Sequence, residues 1–348
     1  MEDISRKYQV LNRSFKKRMI WHLGIDAGFF AEYTYMLNAM LYCLKHHIQF
    51  VLYSKDANFG CENGWGDYFE PFCEEVDEDF HSRYNKHRLP SWKKIFGTKS
   101  VRMLKWKLKS VFQNRMGDVM AYRHYRQWAL LNHHLKFDFS EHYYIPELGI
   151  DGNYLHAFKV MVDITWHLKP ELKEEGRKLI APLKLPDSFI GCQVRGGDKI
   201  TETELLTTDF FINTIRECNR KENLAFVLTD DFRIYEELQV KCPELEWRTL
   251  CAPQEAGYIN SSFSVIKGKE KYAQMLRFLT SMEVLMHSSF FIGSVTTGPS
   301  LFLLKWFYPN HCPIDCSRHL FDEVVTMPIA GRSRISKEFL RNMHRTVS

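Results

Sequence analysis

The first part of the chain alternates between short continuous apolar runs and apolar positions at helical spacing. The run over residues 19–23 predicts a strand, the spacing within 31–46 predicts a helix, and residues 49–53 predict a second strand. Strand, helix, strand is the usual opening of a parallel α/β sheet. Residues 154–181 are also predicted to be helical, with a break at Pro170.

The second half of the chain repeats this alternation with more regularity. The predicted strands are 189–194, 224–228, 247–250 and 289–293. The predicted helices are 209–219, 232 to about 240, 271–287 and 300 to about 307. This order predicts a doubly wound α/β domain, in which ligands bind beyond the carboxyl ends of the strands.

The length of 348 residues suits two domains. We predict an N-terminal, acceptor-side α/β domain over residues 1–185, with a basic helical insert at about 86–126. A second α/β domain over 186–325 would bind a nucleotide sugar, and residues 326–348 would form a tail.

Targeting signals and cysteines bear on the compartment. The first seven residues have no apolar run, so we expect no signal peptide, and glycine, proline and lysine interrupt the longest apolar stretch, 289–308. The nine cysteines are odd in number and scattered, which favours reduced thiols. We therefore expect a cytoplasmic protein, peripheral on a membrane at most, or one of the secretory pathway if the sequence is a fragment.

The net charge of +5 is the remainder of two opposing blocks. Residues 86–126 hold twelve Lys and Arg and one acid, Asp118, so this segment carries +11 and the rest of the chain −6. Val101, Leu104, Leu108 and Val111 share one helical face within it. A basic amphipathic segment suits docking on an anionic membrane, and a solvated helix or a cover for an acidic acceptor is equally compatible.

The first polar motif ends the strand at 189–194. It reads Gln193-Val194-Arg195-Gly196-Gly197-Asp198-Lys199. Glycines allow close backbone approach, and arginine can hold phosphate oxygens with two hydrogen bonds. A loop with an Arg–Asp ion pair is the alternative. We favour a binding site because these groups fall where α/β sheets bind ligands.

Two more polar motifs follow later strands. Thr229-Asp230-Asp231 is not Asp-x-Asp and is a poor metal signature, and capping of the next helix is as compatible as ligand contact. The segment 294–300 places hydroxyls at a helix N-terminus, an arrangement that binds anions. The alternative is that these hydroxyls simply cap the helix. We favour an anion-binding site because this segment is the third polar loop at the end of a predicted strand.

Other chemistries lack support. The turn at Gly28 has no Gly-x-Gly-x-x-Gly, and Walker A, Gly-x-Ser-x-Gly and His-Glu-x-x-His are absent from the sequence. His311, Cys312, Cys316 and His319 are metal-ligand types at a spacing unusual for zinc, so we predict no metal.

Taken together, these motifs resemble the α1,6-fucosyltransferase family and its nodulation fucosyltransferase relatives. Order and spacing agree in the second half over 193–199, 229–232, 242–247 and 291–300. The first half agrees more faintly, over 28–32, 64–71 and 166–170. The resemblance covers roughly residues 20–315 and is weakest over the basic insert.

The resemblance implies a GT-B fold, with two Rossmann-like α/β domains facing a cleft. It also implies GDP-fucose as donor, a glycan acceptor, inversion at the anomeric carbon, and neither cofactor nor metal. The family's phosphate-binding arginine and its lysine map onto Arg195 and Lys199, and its base maps onto Glu202 or Glu204. Its acid for guanine has no clear counterpart, and Glu283 is the nearest candidate.

The whole predicted site follows from the motifs and the resemblance. The catalytic set is Arg195, Lys199, Glu202 and Glu204. The donor-binding set is Gly28, Gln193, Asp198, Asp230, Asp231, Glu283, Thr296, Thr297 and Ser300. Gly196 stands where the family has a second arginine, and Gln193 stands where it has a histidine.

These departures leave alternatives open. One is an inverting transferase that uses another nucleotide sugar, and a second is an inactive sugar or nucleotide binder. A nucleic-acid binder would use the basic segment, but the sequence has no RNA- or DNA-binding motif, so we expect no nucleic acid. If the basic segment docks on a membrane, a lipid-linked glycan would suit as acceptor.

Overall fold

The computed structural model describes residues 4–24, 27–85, 89–90, 92–116, 142–197, 206–218, 221–294, 297–307 and 314–315. The chain divides into two compact units, Met1–Lys169 and Pro170–Ser348. The second unit includes residues 170–185, which the sequence analysis assigned to the first domain. Each unit has its own parallel sheet, which confirms the predicted α/β class.

The first unit opens with the predicted strand, helix and strand. Its elements begin with α1 (Ile4–Ser14), β1 (Lys17–His22), α2 (Phe29–Lys45), β2 (Ile48–Tyr53) and β3 (Glu74–Glu75). The three strands are parallel in the order β1-β2-β3. Helix α1 was not predicted.

Packing explains both helices. Helix α2 is buried on nearly all sides because it packs against β2 and against the later helix α6 (Tyr154–Thr165). Helix α1 is largely polar and is fixed by Asn12, whose amide donates to the carbonyl of Phe50 at 2.8 Å and accepts from its N–H at 2.7 Å. The Asn12 amide thus satisfies both backbone hydrogen-bonding groups of Phe50, and these two bonds hold α1 beside β2.

The rest of the first unit is short helices and a hairpin. The elements are α3 (Asp79–Tyr84), α4 (Trp92–Thr98), α5 (Val101–Met116), an antiparallel pair β4 (His142–Ile145) and β5 (Ile150–Asn153), and α6. Asn153 caps α6 by accepting from the N–H groups of Leu155 and His156. The predicted basic insert is thus helical over α4 and α5, and residues 117–126 lie outside the described part.

The second unit has the predicted alternation of strands and helices. Its elements are α7 (Pro170–Ile180), β6 (Ile190–Val194), α8 (Thr208–Glu217), β7 (Leu224–Thr229), α9 (Phe232–Lys241), β8 (Glu246–Arg248), α10 (Asn260–Val265), α11 (Gly268–Met286), β9 (Phe290–Gly293), α12 (Gly298–Phe307) and β10 (Ile314–Asp315). Pro170 begins α7, where its missing N–H costs nothing, and separates this helix from α6.

Helices cover both faces of this sheet. Ile190, Cys192 and Val194 point to one face and pack with residues of α8 and α9. Gly191 points to the other face, where a Cβ would lie 3.0 Å from the Leu285 side chain of α11. Coverage of both faces explains why the strands read as continuous apolar runs.

The order of the five parallel strands is β10-β9-β6-β7-β8. From β6 the chain moves outward to β7 and β8, then returns to place β9 on the other side of β6. The direction of winding therefore reverses beside β6, and ligands of doubly wound sheets bind at the carboxyl ends of the strands at such a reversal.

Two further observations concern membrane spans and disulfides. No helix in the described part of the chain has both the length and the apolar character needed to cross a membrane. No disulfide joins the seven cysteines within the described ranges.

Candidate functional site

An ion pair joins the carboxyl ends of the adjacent strands β6 and β7. The guanidinium of Arg195 lies 3.0 Å from the carboxylate of Asp230, and both side chains are about four-fifths buried, at 21% and 18% exposure. The other contacts of this carboxylate are the N–H groups of Gly196 at 2.6 Å and Tyr258 at 2.9 Å. Each charge-assisted hydrogen bond contributes about 1.5–3 kcal/mol, so Asp230 fixes the loop after β6.

The same aspartate binds a second loop through its backbone. The carbonyl of Asp230 accepts from the N–H of Gly257 at 2.8 Å, and Phe232 donates to the carbonyl of Glu255 at 2.8 Å. Asp230 thus joins the loop after β6 to the segment 255–258, which the sequence analysis did not include in the site.

Two glycines make this junction sterically feasible. Gly197 has a φ of +64°, and a Cβ there would lie 2.6 Å from the backbone nitrogen of Tyr258 and closer still to its carbonyl oxygen. Gly257 has a φ of +102°, and its Cβ would lie 2.7 Å from the Cα of Gly197. The predicted role of the glycine pair was close ligand approach, and in the structure Gly197 admits a neighbouring loop.

Tyr258 completes the surroundings of Arg195. The guanidinium carbon lies 4.8 Å from the centre of the Tyr258 ring, within the range of a cation–π contact. The Tyr258 hydroxyl donates to the side-chain oxygen of Asn260 at 2.9 Å, so the ring is held at its far end. Arg195 is therefore oriented by a carboxylate at one edge and an aromatic ring on one face.

The predicted hydroxyls at the start of α12 bind a neighbouring side chain. Thr297 and Ser300 each donate to the side-chain oxygen of Gln193 at 2.5 Å, and all three residues are buried. Gln193 therefore ties β6 to the N-terminus of α12, the helix that follows β9. The backbone N–H groups of the first helical turn, rather than these hydroxyls, are the groups that could face an anion.

Asp231 acts as a helix cap. Its carboxylate accepts from the N–H of Arg233 at 3.1 Å and pairs with the Arg233 guanidinium at 2.6 Å. The hydrogen bonds from this guanidinium lower the pKa of Asp231. The structure therefore shows capping by Asp231, and ligand contact by this motif stays a prediction.

Acidic groups also surround the thiol nearest the site. Burial raises the pKa of Cys251, and a hydrogen bond and charge from Glu255 raise it further. Glu255 itself forms an ion pair with Arg277. Cys251 therefore stays protonated and is a poor nucleophile.

One predicted donor-binding residue of the second unit lies apart from Arg195, and another belongs to the first unit. Glu283 lies near the end of α11, which leads directly to the amino end of β9, so it is at the opposite edge of the sheet from Asp230. Gly28 belongs to the first unit, where it precedes α2 with an ordinary φ of −68°. The structure brings together Arg195, Asp230, Gln193, Thr297 and Ser300.

The remaining predicted residues lie outside the described ranges. They are Asp198, Lys199, Glu202, Glu204 and Thr296, together with the four metal-ligand types His311, Cys312, Cys316 and His319. Their predicted roles stay predictions. Within the described ranges, no three His, Cys, Asp or Glu side chains come together in a metal-binding group.

The residues that sequence reasoning missed are those of the segment 255–258. A glycine followed by an aromatic residue after β8 was the only local signal of Gly257 and Tyr258. The assembled site presents an oriented guanidinium beside the point where the sheet reverses. Such a group can bind a phosphate anion and stabilise negative charge on it.

Comparisons with known proteins complete this description. No family model matches the chain, and no curated protein matches it. Among solved structures, the chain is similar to NodZ alpha-1,6-fucosyltransferase soaked with GDP-fucose, and NodZ is described from Bradyrhizobium. The sequence identity is 13% and the TM-score is 0.47, and the match covers 84% of this chain and 93% of that chain.

Two further solved structures are of the same kind. A mutant of Arabidopsis thaliana FUT1 in complex with GDP has 12% identity over 86% of this chain and 73% of that chain, with a TM-score of 0.46. POFUT1 in complex with GDP-fucose has 10% identity over 83% and 94%, with a TM-score of 0.41.

Proposed function

We propose that this protein is a glycosyltransferase that moves fucose from GDP-fucose to a glycan acceptor. The reaction inverts the anomeric carbon and uses no metal ion. The observation that carries the proposal is the oriented Arg195, held by Asp230 and Tyr258 beside the reversal point of a doubly wound sheet. The motif resemblance supplies the identity of the donor.

In the proposed reaction, the acceptor hydroxyl gives its proton to a carboxylate base and its oxygen attacks the anomeric carbon. The bond from that carbon to the donor phosphate breaks, and the diphosphate leaves with the electron pair. Arg195 and Lys199 stabilise the charge that develops on the diphosphate, and Glu202 or Glu204 serves as the base.

The proposal also covers the arrangement around the site. In a GT-B arrangement, the second unit would bind the donor and the first unit would face the acceptor across a cleft. The chain would act in the cytoplasm, on a glycan that would be lipid-linked if the protein docks on membranes.

A donor panel is the direct test. We expect GDP and GDP-fucose to raise the melting temperature more than ADP, UDP or UDP-sugars at equal concentration, because a ligand stabilises the folded state according to its affinity. Product analysis with GDP-fucose should show transfer with inverted configuration, unchanged by a chelator. A larger rise with another nucleotide would contradict the donor assignment, and binding without hydrolysis or transfer would favour an inactive binder.

Variants then test the assigned residues. Arg195→Ala should lower turnover by at least about 100-fold, the usual effect of removing one group that stabilises transition-state charge. Arg216→Ala is the matched control, because it removes an arginine from an exposed pair with Glu244. Wild-type turnover in a folded Arg195→Ala protein would refute the role. Comparing Glu202→Gln with Glu204→Gln should identify the base, since only one should abolish transfer.

A transferase for another nucleotide sugar is the second candidate, and Gly196 favours it. A Cβ at this position would lie 3.0 Å from the Cβ of Asp231, so no larger side chain fits without displacement. An arginine here, as in the fucosyltransferase pattern, would require Asp231 to shift by a few tenths of an ångström. The donor panel distinguishes the two candidates.

A further inference from the structure

Exposed apolar side chains are concentrated in one short segment of the first unit. Of the thirteen exposed large apolar residues in the described ranges, seven lie within residues 92–116. They are Trp92, Phe96, Val101, Trp106, Leu108, Phe112 and Met116. Single exposed apolar residues are normal, but a cluster of this kind marks an interaction surface.

One side of α5 anchors it to the first unit. The Ser110 hydroxyl is buried and donates to the carbonyl of Tyr84 at 3.0 Å. Lys107 donates to the carbonyl of Pro90 at 2.7 Å, and its ammonium lies 4.6 Å from the centre of the Trp92 ring. These contacts fix which way the helix faces.

The opposite side of α5 is apolar and exposed. At 3.6 residues per turn, Val101, Leu108 and Phe112 lie within about 20° of the direction opposite to Ser110. Their side chains are 63%, 54% and 63% exposed. The centre of the predicted apolar face, formed by Val101 and Leu108, therefore points away from the protein.

Positive charge lies next to this apolar side. Residues 92–116 contain eight Lys and Arg and no Asp or Glu. Arg102, Lys105 and Lys109 are exposed on α5, and Lys93 and Lys99 are exposed on and after α4. An apolar stripe with cations along one side suits the surface of a bilayer, where an anionic headgroup layer covers an apolar interior.

We propose that the exposed side of α4 and α5 docks the protein on an anionic lipid bilayer, with Val101, Leu108 and Phe112 inserted between headgroups. The lysines and arginines would contact lipid phosphates and carboxylates. A nucleic acid would use the cations and leave the apolar stripe exposed to water, so a bilayer fits both observations. This inference goes beyond the proposed function and is independent of it.

Co-sedimentation of the full chain with vesicles tests the proposal. We expect binding to phosphatidylcholine vesicles that contain phosphatidylserine and little binding to phosphatidylcholine alone. The triple variant Arg102→Glu, Lys105→Glu, Lys109→Glu should bind at least about 100-fold more weakly, since each cation near an anionic surface contributes roughly fivefold. Its matched control reverses three exposed lysines of the second unit, Lys173, Lys178 and Lys221.

The apolar stripe is tested separately. Phe112→Ser should weaken partition about tenfold, the effect of withdrawing one phenyl group from an apolar environment. Val240→Ser, at an 80% exposed position of α9, is the control and should bind as wild type. Because these positions are exposed, all variants should melt near wild type.

Three outcomes would overturn the proposal. They are equal binding to both vesicle types, unchanged binding of the triple and Phe112→Ser variants, and tighter, salt-sensitive binding to an RNA or DNA oligonucleotide than to vesicles. Transferase activity of the variants on a soluble acceptor should stay at the wild-type level, so a failure of the docking proposal is distinct from a failure of the proposed function.

Discussion

Replacing Gly197 with alanine tests whether the close approach of two loops builds the site. Gly197 has a φ of +64° and its backbone contacts that of Tyr258. Gly268 in the same unit has a φ of +58°, and a Cβ added there would meet open space, with no atom within 4 Å. The two substitutions share the conformational penalty and differ in the clash.

The magnitudes follow from these two contributions. An alanine in the left-handed region costs about 1–2 kcal/mol relative to the ordinary helical region. Forcing extra volume into a packed site adds roughly 1–3 kcal/mol. For a unit of this size each kcal/mol lowers the melting temperature by about 2–4 °C. We therefore expect a decrease of roughly 4–20 °C for Gly197→Ala and roughly 2–8 °C for Gly268→Ala.

Thermal unfolding by circular dichroism measures the difference, and titration with GDP-fucose measures its effect on binding. Gly197→Ala should weaken donor binding, because moving the 255–258 segment displaces the ring and the carboxylate that orient Arg195. Gly268→Ala should bind as wild type. Equal melting temperatures for the two variants, or unchanged donor affinity of Gly197→Ala, would refute the claim that this backbone contact forms the site.

Three further substitutions test the surroundings of the site and the core. Asp230→Asn should lower the unfolding free energy by about 2 kcal/mol or more, because the amide nitrogen replaces one accepting oxygen and the remaining hydrogen bonds lose the assistance of the charge. Asp209→Asn in an exposed pair should cost less than about 1 kcal/mol, and urea titration compares the two. Tyr258→Leu should weaken donor binding about tenfold through loss of the contact with Arg195, and Tyr258→Phe should not, in the same titration. Burial lowers the pKa of Lys305 from 10.5 to about 7. Between these pH values the folded chain binds fewer protons than the unfolded chain, so the free energy of unfolding rises with pH. Lys305→Met should flatten this rise by up to about 1.4 kcal/mol per pH unit.

Most strands and helices could be predicted because their patterns are local. Continuous apolar runs mark β2 and β6, which are buried on both faces, and helical spacing marks α2. Helix α1 was missed although Ile4, Tyr8 and Leu11 recur at helical spacing, because the segment is short and largely polar and has Ser5 and Asn12 among its buried positions. The bonds of Asn12 to the backbone of β2 are a tertiary contact that no local pattern encodes.

The site was predictable only in part, for the same reason. The strand-end rule placed Arg195 and Asp230 correctly on one edge, since it needs only the strands and their direction. The segment 255–258 reaches this edge through hydrogen bonds across 28 residues of sequence, from Tyr258 to Asp230. The roles of Thr297 and Ser300 depended on Gln193, more than 100 residues away.

Two long-range contacts lead us to expect the diphosphate of the proposed donor on the β9 side of Arg195. The 255–258 segment binds Asp230 and Phe232, so it occupies the β7 side of the guanidinium, where the ring and the carboxylate already lie. Strand β9 lies on the other side of β6, and Gln193 ties β6 to the N-terminus of α12 there. A diphosphate bound between Arg195 and that helix end would meet a cation on one side and a positive helix dipole on the other. The direction of winding of the sheet reverses at this same place, so the crevice between β6 and β9 is where we expect the donor of the proposed reaction to bind.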